Sequence, residues 1–173
     1  LYHRYRYDRF PLTRELDDFP PYIQIEPASV CNFRCVFCYQ TDRTFASRKS
    51  GMMGKMTLDL FRELVDQIAG RIEFGSLASR GEPLINGQID QMLAYCRGKF
   101  LGLKMNTNAS LLTEERAHGI LSGGVNTLVF SADAAEEPTY SQFRVNGSLD
   151  ETLRNVARFQ RIREQQYPDS RII

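Results

Sequence analysis

From Tyr22 onward the sequence alternates short strand-like runs with longer segments of helical period. Four runs, "YIQIE", "RIEFGSL", "LGLKMN" and "TLVFSAD", have the apolar or alternating character of strands. The segments between them are long enough for helices of about ten residues. This alternation predicts right-handed βαβ units and an α/β fold with a parallel sheet, either barrel-like or doubly wound. The final "RII" is expected to begin a fifth strand.

Three of the intervening helices carry signals for their first residue. Thr57, Thr113 and Ser148 each precede a segment of helical period and are predicted to act as N-caps. Ser148 and Glu151 also have the S-x-x-E spacing of a capping box. The predicted buried faces are Ile89, Met92, Leu93 and Cys96 in the second helix, and Leu149, Leu153, Val156 and Ile162 in the last.

Polar segments of unusual composition follow all four predicted strands. Ligand-binding groups in parallel α/β folds collect at the carboxyl ends of the strands, so these segments are expected to share one rim. They comprise Cys31, Cys35 and Cys38 after the first strand, Gly81, Glu82 and Pro83 after the second, Asn106, Thr107 and Asn108 after the third, and Ser131 and Asp133 after the fourth. This convergence predicts a functional site at that rim.

The three clustered cysteines, in "CNFRCVFC", indicate a metal site. Thiolates bind zinc or iron–sulfur clusters, and a structural zinc site is normally closed by four protein ligands. The fourth cysteine, Cys96, is expected to be ordinary core, and neither His3 nor His118 has ligand spacing to the cluster. His118 is expected to be a partly exposed structural residue. The chemistry therefore favours a [4Fe-4S] cluster with one iron open to a ligand that is not protein, while a zinc module or an electron-transfer protein remains an alternative.

The motif resembles the C-x3-C-x-aromatic-C signature of the radical S-adenosylmethionine enzymes, with Phe37 at the aromatic position. The resemblance implies that Cys31, Cys35 and Cys38 hold a [4Fe-4S] cluster whose unique iron binds S-adenosylmethionine. It further implies reductive cleavage of that cofactor to a 5′-deoxyadenosyl radical, which abstracts hydrogen from a substrate. Phe37 is then expected to pack beside the adenine or the cluster.

The segment "SRGEP" is similar to the glycine-glycine-glutamate-proline segment of that family. The similarity implies that Gly81 and Glu82 bind the amino group of S-adenosylmethionine. Arg80 stands where the family usually has the first glycine. This departure concerns the local backbone geometry rather than the role of Glu82.

Two further segments resemble the same family. "TNASLLTEE" is similar to a threonine-asparagine-glycine turn, with Ala109 in place of the glycine and Asn106 just before the turn as a candidate cofactor-binding residue. "FSADAAEEPTYSQFR" resembles the segment after the fourth strand, which implies that Ser131 and Asp133 lie near the cofactor ribose. Arg144 is then expected to reach the cofactor carboxylate.

The resemblance extends over residues 22–173 and predicts a partial (βα) barrel of about four and a half βα units. Residues 1–21 are expected to form an amino-terminal extension packed across the outside, because "YHRYRYDRF" is too short to support nucleic-acid binding alone. The pattern is closest to SPASM-type and molybdenum-cofactor-biosynthesis enzymes. The resemblance therefore implies that βα units five and six, and any auxiliary-cluster domain, lie beyond residue 173.

Charge and hydropathy limit the expected partners. The chain has 22 basic and 21 acidic residues, which gives no global reason to expect nucleic acid or acidic membranes. No run approaches the roughly 18 apolar residues of a membrane helix, and no secretory signal is recognisable, so the cytoplasm is expected. The resemblance implies a reductant such as flavodoxin or ferredoxin and a peptide or small-molecule substrate.

Overall fold

The computed structural model describes residues 2–78 and 80–173, apart from the side chains of Tyr2, His3 and Arg48. Four parallel strands form one sheet: β1 (Tyr22–Ile25), β2 (Phe74–Leu77), β3 (Gly102–Thr107) and β4 (Thr127–Phe130). The predicted α/β fold with a parallel sheet is confirmed. The spatial order β1-β2-β3-β4 follows the chain without the reversal that defines a doubly wound sheet, so the sheet is a partial barrel.

The described helices are α1 (Tyr2–Thr13), α2 (Arg43–Ala46), α3 (Leu58–Ile68), α4 (Ile89–Cys96), α5 (Glu114–Ser122), α6 (Glu137–Phe143) and α7 (Leu149–Gln166). Four of them, α3, α4, α5 and α7, lie where helical period was predicted, whereas α1, α2 and α6 were not predicted. The three predicted caps are confirmed, because the side chains of Thr57, Thr113 and Ser148 accept hydrogen bonds from backbone N–H groups in the first turns of α3, α5 and α7. None of the described helices is long and apolar enough to cross a membrane.

The hydrophobic core lies between the sheet and helices α3, α4, α5 and α7. The predicted buried face of α4 is confirmed, including Cys96. The predicted face of α7 is partly wrong, because Leu153 is 55% exposed whereas Thr152 and Asn155 are buried. The Asn155 side-chain amide donates to the carbonyl of Ala109 at 2.9 Å. Helix α7 therefore turns polar groups toward the loop after β3.

The two ends of the chain are attached to opposite parts of the sheet. Helix α1 is held through Arg6, which pairs with Asp17 and lies 3.9 Å from Glu73, just before β2. At the other end, the Ile173 N–H donates to Asn126 at 3.1 Å and its carbonyl accepts from the Leu128 N–H at 2.8 Å. The predicted fifth strand is not formed as a regular strand in residues 171–173, but the backbone of Ile173 already pairs with the edge at β4.

Candidate functional site

A cavity of about 340 Å³ opens at the carboxyl ends of the strands, and we call it the strand-end cavity. Segments that follow all four strands contribute to its wall. Its lining comprises Cys31, Phe33, Cys35, Phe37, Cys38, Tyr39, Ala78, Arg80, Gly81, Glu82, Asn106, Thr107, Asn108, Ser131 and Arg144. The structure thus brings together every predicted cluster-ligand and cofactor-binding residue except Asp133, which pairs with the lining residue Arg144.

The cysteine loop, residues 31–38, is fixed by backbone pairing to a distant segment. The N–H groups of Arg34 and Val36 donate to the carbonyls of Val145 and Phe143, at 2.9 and 3.0 Å. The loop presents three free thiols to the strand-end cavity, with Cys35 buried and the other two half-buried. The loop after β1 is therefore docked directly on the chain between α6 and α7.

Glu82 is the most deeply enclosed acidic residue of the site, with only 2% of its surface exposed. One carboxylate oxygen accepts from the Thr107 hydroxyl at 2.7 Å and the Leu84 N–H at 3.1 Å, and the other accepts from the Asn108 N–H at 2.7 Å. Burial raises the pKa of Glu82, although these three hydrogen bonds oppose the shift. A carboxylate has about four acceptor positions, so one further donor from the cavity can be accommodated.

Gly81 allows the loops after β1 and β2 to touch through their backbones. A Cβ atom at this position would lie 2.0 Å from the carbonyl oxygen of Ala28 and 2.7 Å from that of Val30. The next N–H, that of Glu82, donates to Val30 at 2.9 Å. The close approach therefore requires glycine.

Arg80, which replaces the first glycine of the family pattern, has side-chain partners in the segment after β1. Its guanidinium pairs with Glu26 at 3.1 Å and lies over the ring of Tyr39, 5.6 Å from the ring centre. Its N–H donates to the same carboxylate at 2.7 Å. The arginine is accommodated because Glu26, at the end of β1, supplies a partner for both groups.

The turn after β3 contains the two asparagines and Ala109. The Asn106 side-chain oxygen is buried and has no hydrogen-bond partner among the described residues, although Asn106 lines the strand-end cavity. The Asn108 side-chain amide donates to Asn32 in the cysteine loop at 3.0 Å. Ala109 is buried with a φ of +61°, in the left-handed region that favours glycine. This φ explains why the related pattern has glycine at that position.

Arg144 joins the segment after β4 to the cysteine loop. Its Nε and Nη2 atoms bind the carboxylate of Asp133, and its Nη1 lies 3.3 Å from the sulfur of Cys35. The guanidinium also lies 5.1 Å from the centre of the half-exposed Phe37 ring. Asp133 thus pairs with Arg144, while Ser131 faces the cavity. Sequence reasoning had treated the three as separate contacts to a cofactor.

Comparison with known proteins identifies the family. The model of the radical SAM superfamily matches residues 25–164. The chain belongs to the radical SAM superfamily. The resemblance to radical S-adenosylmethionine enzymes that the sequence predicted is confirmed. Enzymes of this superfamily use a [4Fe-4S] cluster and S-adenosylmethionine.

Named relatives of this radical SAM chain include enzymes of different activity. An AdoMet-dependent heme synthase of Methanosarcina barkeri is 30% identical over 138 residues, which cover 79% of this chain and 38% of the relative. A GTP 3′,8-cyclase of Saccharophagus degradans is 26% identical over 137 residues, which cover 78% of this chain and 40% of the relative. The chain therefore spans about two fifths of the length of these relatives.

Solved structures share the fold of this radical SAM chain at low sequence identity. Streptococcus suis SuiB bound to its precursor peptide SuiA has a TM-score of 0.70 and 18% identity, over 92% of this chain and 34% of SuiB. SuiB bound to S-adenosylmethionine has a TM-score of 0.68 and the same identity and coverage. These likenesses support the partial-barrel assignment.

The donor set of the strand-end cavity fits the iron–sulfur cluster of radical SAM enzymes. Among the residues that the structure describes, no three His, Cys, Asp or Glu side chains are grouped to hold a single metal ion. Cysteines of a four-iron cluster bind different irons, so their sulfurs do not converge on one point. Burial, followed by the charges of Glu82, Cys35 and Cys38, raises the pKa of Cys31 despite a hydrogen bond from the Phe33 N–H. A cationic cluster would stabilise the Cys31 thiolate, which burial otherwise disfavours.

Sequence reasoning missed the role of Gln40, which follows the radical SAM motif. Gln40 is 3% exposed, and its amide donates to the carbonyls of Ser29 and Arg80 at 3.0 and 2.7 Å. It therefore connects the loops after β1 and β2. The sequence around Gln40 carries no signal for this role, because Arg80 lies 40 positions away.

Two of the residues set aside from the site, Cys96 and His118, lie where the sequence predicted. Cys96 belongs to the core, and burial raises the pKa of its thiol to about 12. His118 is partly exposed, and its Nδ1 lies 3.0 Å from the Tyr167 hydroxyl. The side chain of His3 lies outside those the structure describes.

Proposed function

We propose that this chain forms the cofactor-binding core of a radical SAM enzyme, with Cys31, Cys35 and Cys38 as ligands of a [4Fe-4S] cluster. The observation that carries the proposal is that three free thiols share one cavity with polar groups from the ends of the other three strands. Residues 22–173 would constitute this core, with residues 1–21 as an extension.

The roles of individual residues follow from their open hydrogen-bonding positions. When bound, the reduced cluster and S-adenosylmethionine supply a 5′-deoxyadenosyl radical that abstracts hydrogen from a substrate. Glu82 offers its remaining acceptor position to the cofactor ammonium group. The unpaired oxygen of Asn106 accepts from a hydroxyl or amino group of the cofactor, and Ser131 binds beside it. Gly81 allows the loop after β2 to approach the backbone of the loop after β1 in the cavity wall.

The substrate proposal covers peptides and small molecules. SuiB, which shares the fold, has been crystallised with a precursor peptide, whereas the relatives similar in sequence are named heme synthases and GTP cyclases. Both groups leave the reaction class of this chain open. A one-electron reductant of the flavodoxin or ferredoxin type would supply the electron.

Anaerobic reconstitution with iron and sulfide tests the ligand assignment. The parent protein is expected to bind about four irons per chain and to show a broad visible absorption that dithionite bleaches. Cys35→Ala is expected to lose most of the iron, because a cavity thiol is removed. Cys96→Ala is the matched control and is expected to retain it, because Cys96 lies in the core.

The same preparation separates the proposed enzyme from its alternatives. Reduced protein mixed with S-adenosylmethionine is expected to form 5′-deoxyadenosine. One firmly bound zinc and no cluster would identify a structural metal module. An intact cluster that leaves the cofactor uncleaved would identify an electron-transfer protein.

A further inference from the structure

The contact between the Arg144 guanidinium and the Cys35 sulfur is buried, and its direction is fixed by neighbouring groups. Cys35 is 6% exposed, and the Arg144 side chain is 12% exposed. The Nη1 atom lies 3.3 Å from the Cys35 sulfur, while the opposite side of the same guanidinium binds Asp133. Because the guanidinium is planar, the pairing of Nε and Nη2 with Asp133 fixes the direction in which Nη1 points.

Backbone pairing holds the two residues opposite each other. Arg34 and Val36, which flank Cys35, donate to the carbonyls of Val145 and Phe143, which flank Arg144. The N–H to sulfur contact therefore lies between two backbone hydrogen bonds of 2.9 and 3.0 Å. The backbone of Arg144 is therefore held opposite the cysteine loop, and the pairing with Asp133 holds its side chain.

We infer that Arg144 is a positioning residue that raises the reduction potential of the cluster by donating to the sulfur of Cys35. This inference rests on the proposed function. Reduction adds one electron from an external donor and no proton, so the cluster and its thiolates become more negative. Hydrogen bonds to the sulfurs and nearby positive charge stabilise that added charge, and they are among the protein's main controls of cluster potential.

The chain offers a matched control in the same loop. The guanidinium of Arg34 donates to the carbonyl oxygens of Cys31 and Phe33, each at 2.7 Å. Arg34 therefore carries the same charge on the cysteine loop, in a more exposed position, and bonds to oxygen rather than sulfur. Its replacement tests whether charge alone accounts for the effect.

The experiment is a redox titration of the full chain, reconstituted anaerobically and monitored by electron paramagnetic resonance. S-adenosylmethionine is omitted, so that any contact of Arg144 with the cofactor cannot contribute. Arg144→Gln is expected to reduce the equilibrium constant for reduction about tenfold, a shift of roughly 59 mV to more negative potential. Arg34→Gln is expected to shift the potential clearly less, and Arg144→Lys to fall between Arg144→Gln and the parent.

Equal shifts in Arg144→Gln and Arg34→Gln, or none in Arg144→Gln, would overturn the inference. If Arg144→Gln holds no cluster, Arg144→Lys decides, because it keeps the charge but lacks the planar guanidinium that Asp133 orients; a potential equal to that of the parent then contradicts the role of the N–H to sulfur bond. Iron content and circular dichroism are measured for every variant. A parent protein without a four-iron cluster would instead refute the proposed function, so the two failures are distinguishable.

Discussion

Glu82 connects three segments of the site through one buried carboxylate. Its hydrogen bonds reach Leu84 in its own loop, Thr107 at the end of β3 and Asn108 in the following turn. The sequence resemblance indicated a cofactor-binding glutamate but gave no account of these bonds. The partners beyond its own loop lie 25 and 26 positions away, so they depend on the pairing of β2 with β3.

The raised pKa of Glu82 predicts a pH-dependent stability. Burial is the main cause of the shift, so the folded state binds the proton more tightly than the unfolded state does. The free energy of unfolding should therefore fall as pH rises above the ordinary glutamate value of 4.5 toward the folded pKa. Glu82→Gln is expected to remove this decline, because the variant has no proton to release.

Urea unfolding of the parent and of Glu82→Gln, at a series of pH values from about 4 to 7, measures the difference. Glu63→Gln is the control, because Glu63 is exposed on α3. The prediction is wrong if the difference in stability between the parent and Glu82→Gln stays constant across this range.

At the scale of elements, local signals predicted most of the secondary structure. The strands and the caps at Thr57, Thr113 and Ser148 depend on adjacent residues, which a sequence displays directly. Helix α6 was missed because it is only seven residues long and has no side-chain cap. Leu153 of α7 was predicted to be buried but is exposed. The buried face instead contains Asn155, which donates to the carbonyls of Ala109 and Ser110, and a pattern of apolar residues cannot predict a buried polar side chain.

The contact between the loops after β1 and β2 predicts an effect of Gly81→Ala. The added Cβ would overlap the Ala28 carbonyl oxygen, and both sides of the contact are backbone, which cannot rotate aside. A loss of about 1–3 kcal/mol in the free energy of unfolding is expected, as for other overpacked sites. Thermal or urea unfolding gives this value.

Gly87→Ala is the matched control for Gly81→Ala. Nothing lies within 4 Å of the position that its Cβ would take. Its stability is therefore expected to change by less than about 0.5 kcal/mol. Similar losses in both variants would show that the close approach at Gly81 has no special energetic cost.

At the scale of the whole molecule, the location of the site followed from topology. All parallel strands point the same way, so polar residues after each strand were predicted to meet at one rim, and the strand-end cavity lies there. The pairing of Asp133 with Arg144 could not be predicted in this way. It depends on α6, the unpredicted helix that separates the two residues and fixes the position of Arg144.

The pairing of the cysteine loop with residues 143–145 also has a consequence for the order of folding. Cys35 and Arg144 lie 109 positions apart, whereas neighbouring strands are joined by much shorter connections. Closing the longer loop costs more chain entropy, so we expect it to close after β2 and β3 have paired.

In pulsed hydrogen exchange during refolding, the amides of Arg34 and Val36 should become protected after those of β3. Earlier or simultaneous protection would contradict this order. The thiols would then assume their final arrangement only after residues 143–145 have docked on the cysteine loop, which limits premature capture of metal by the nascent protein.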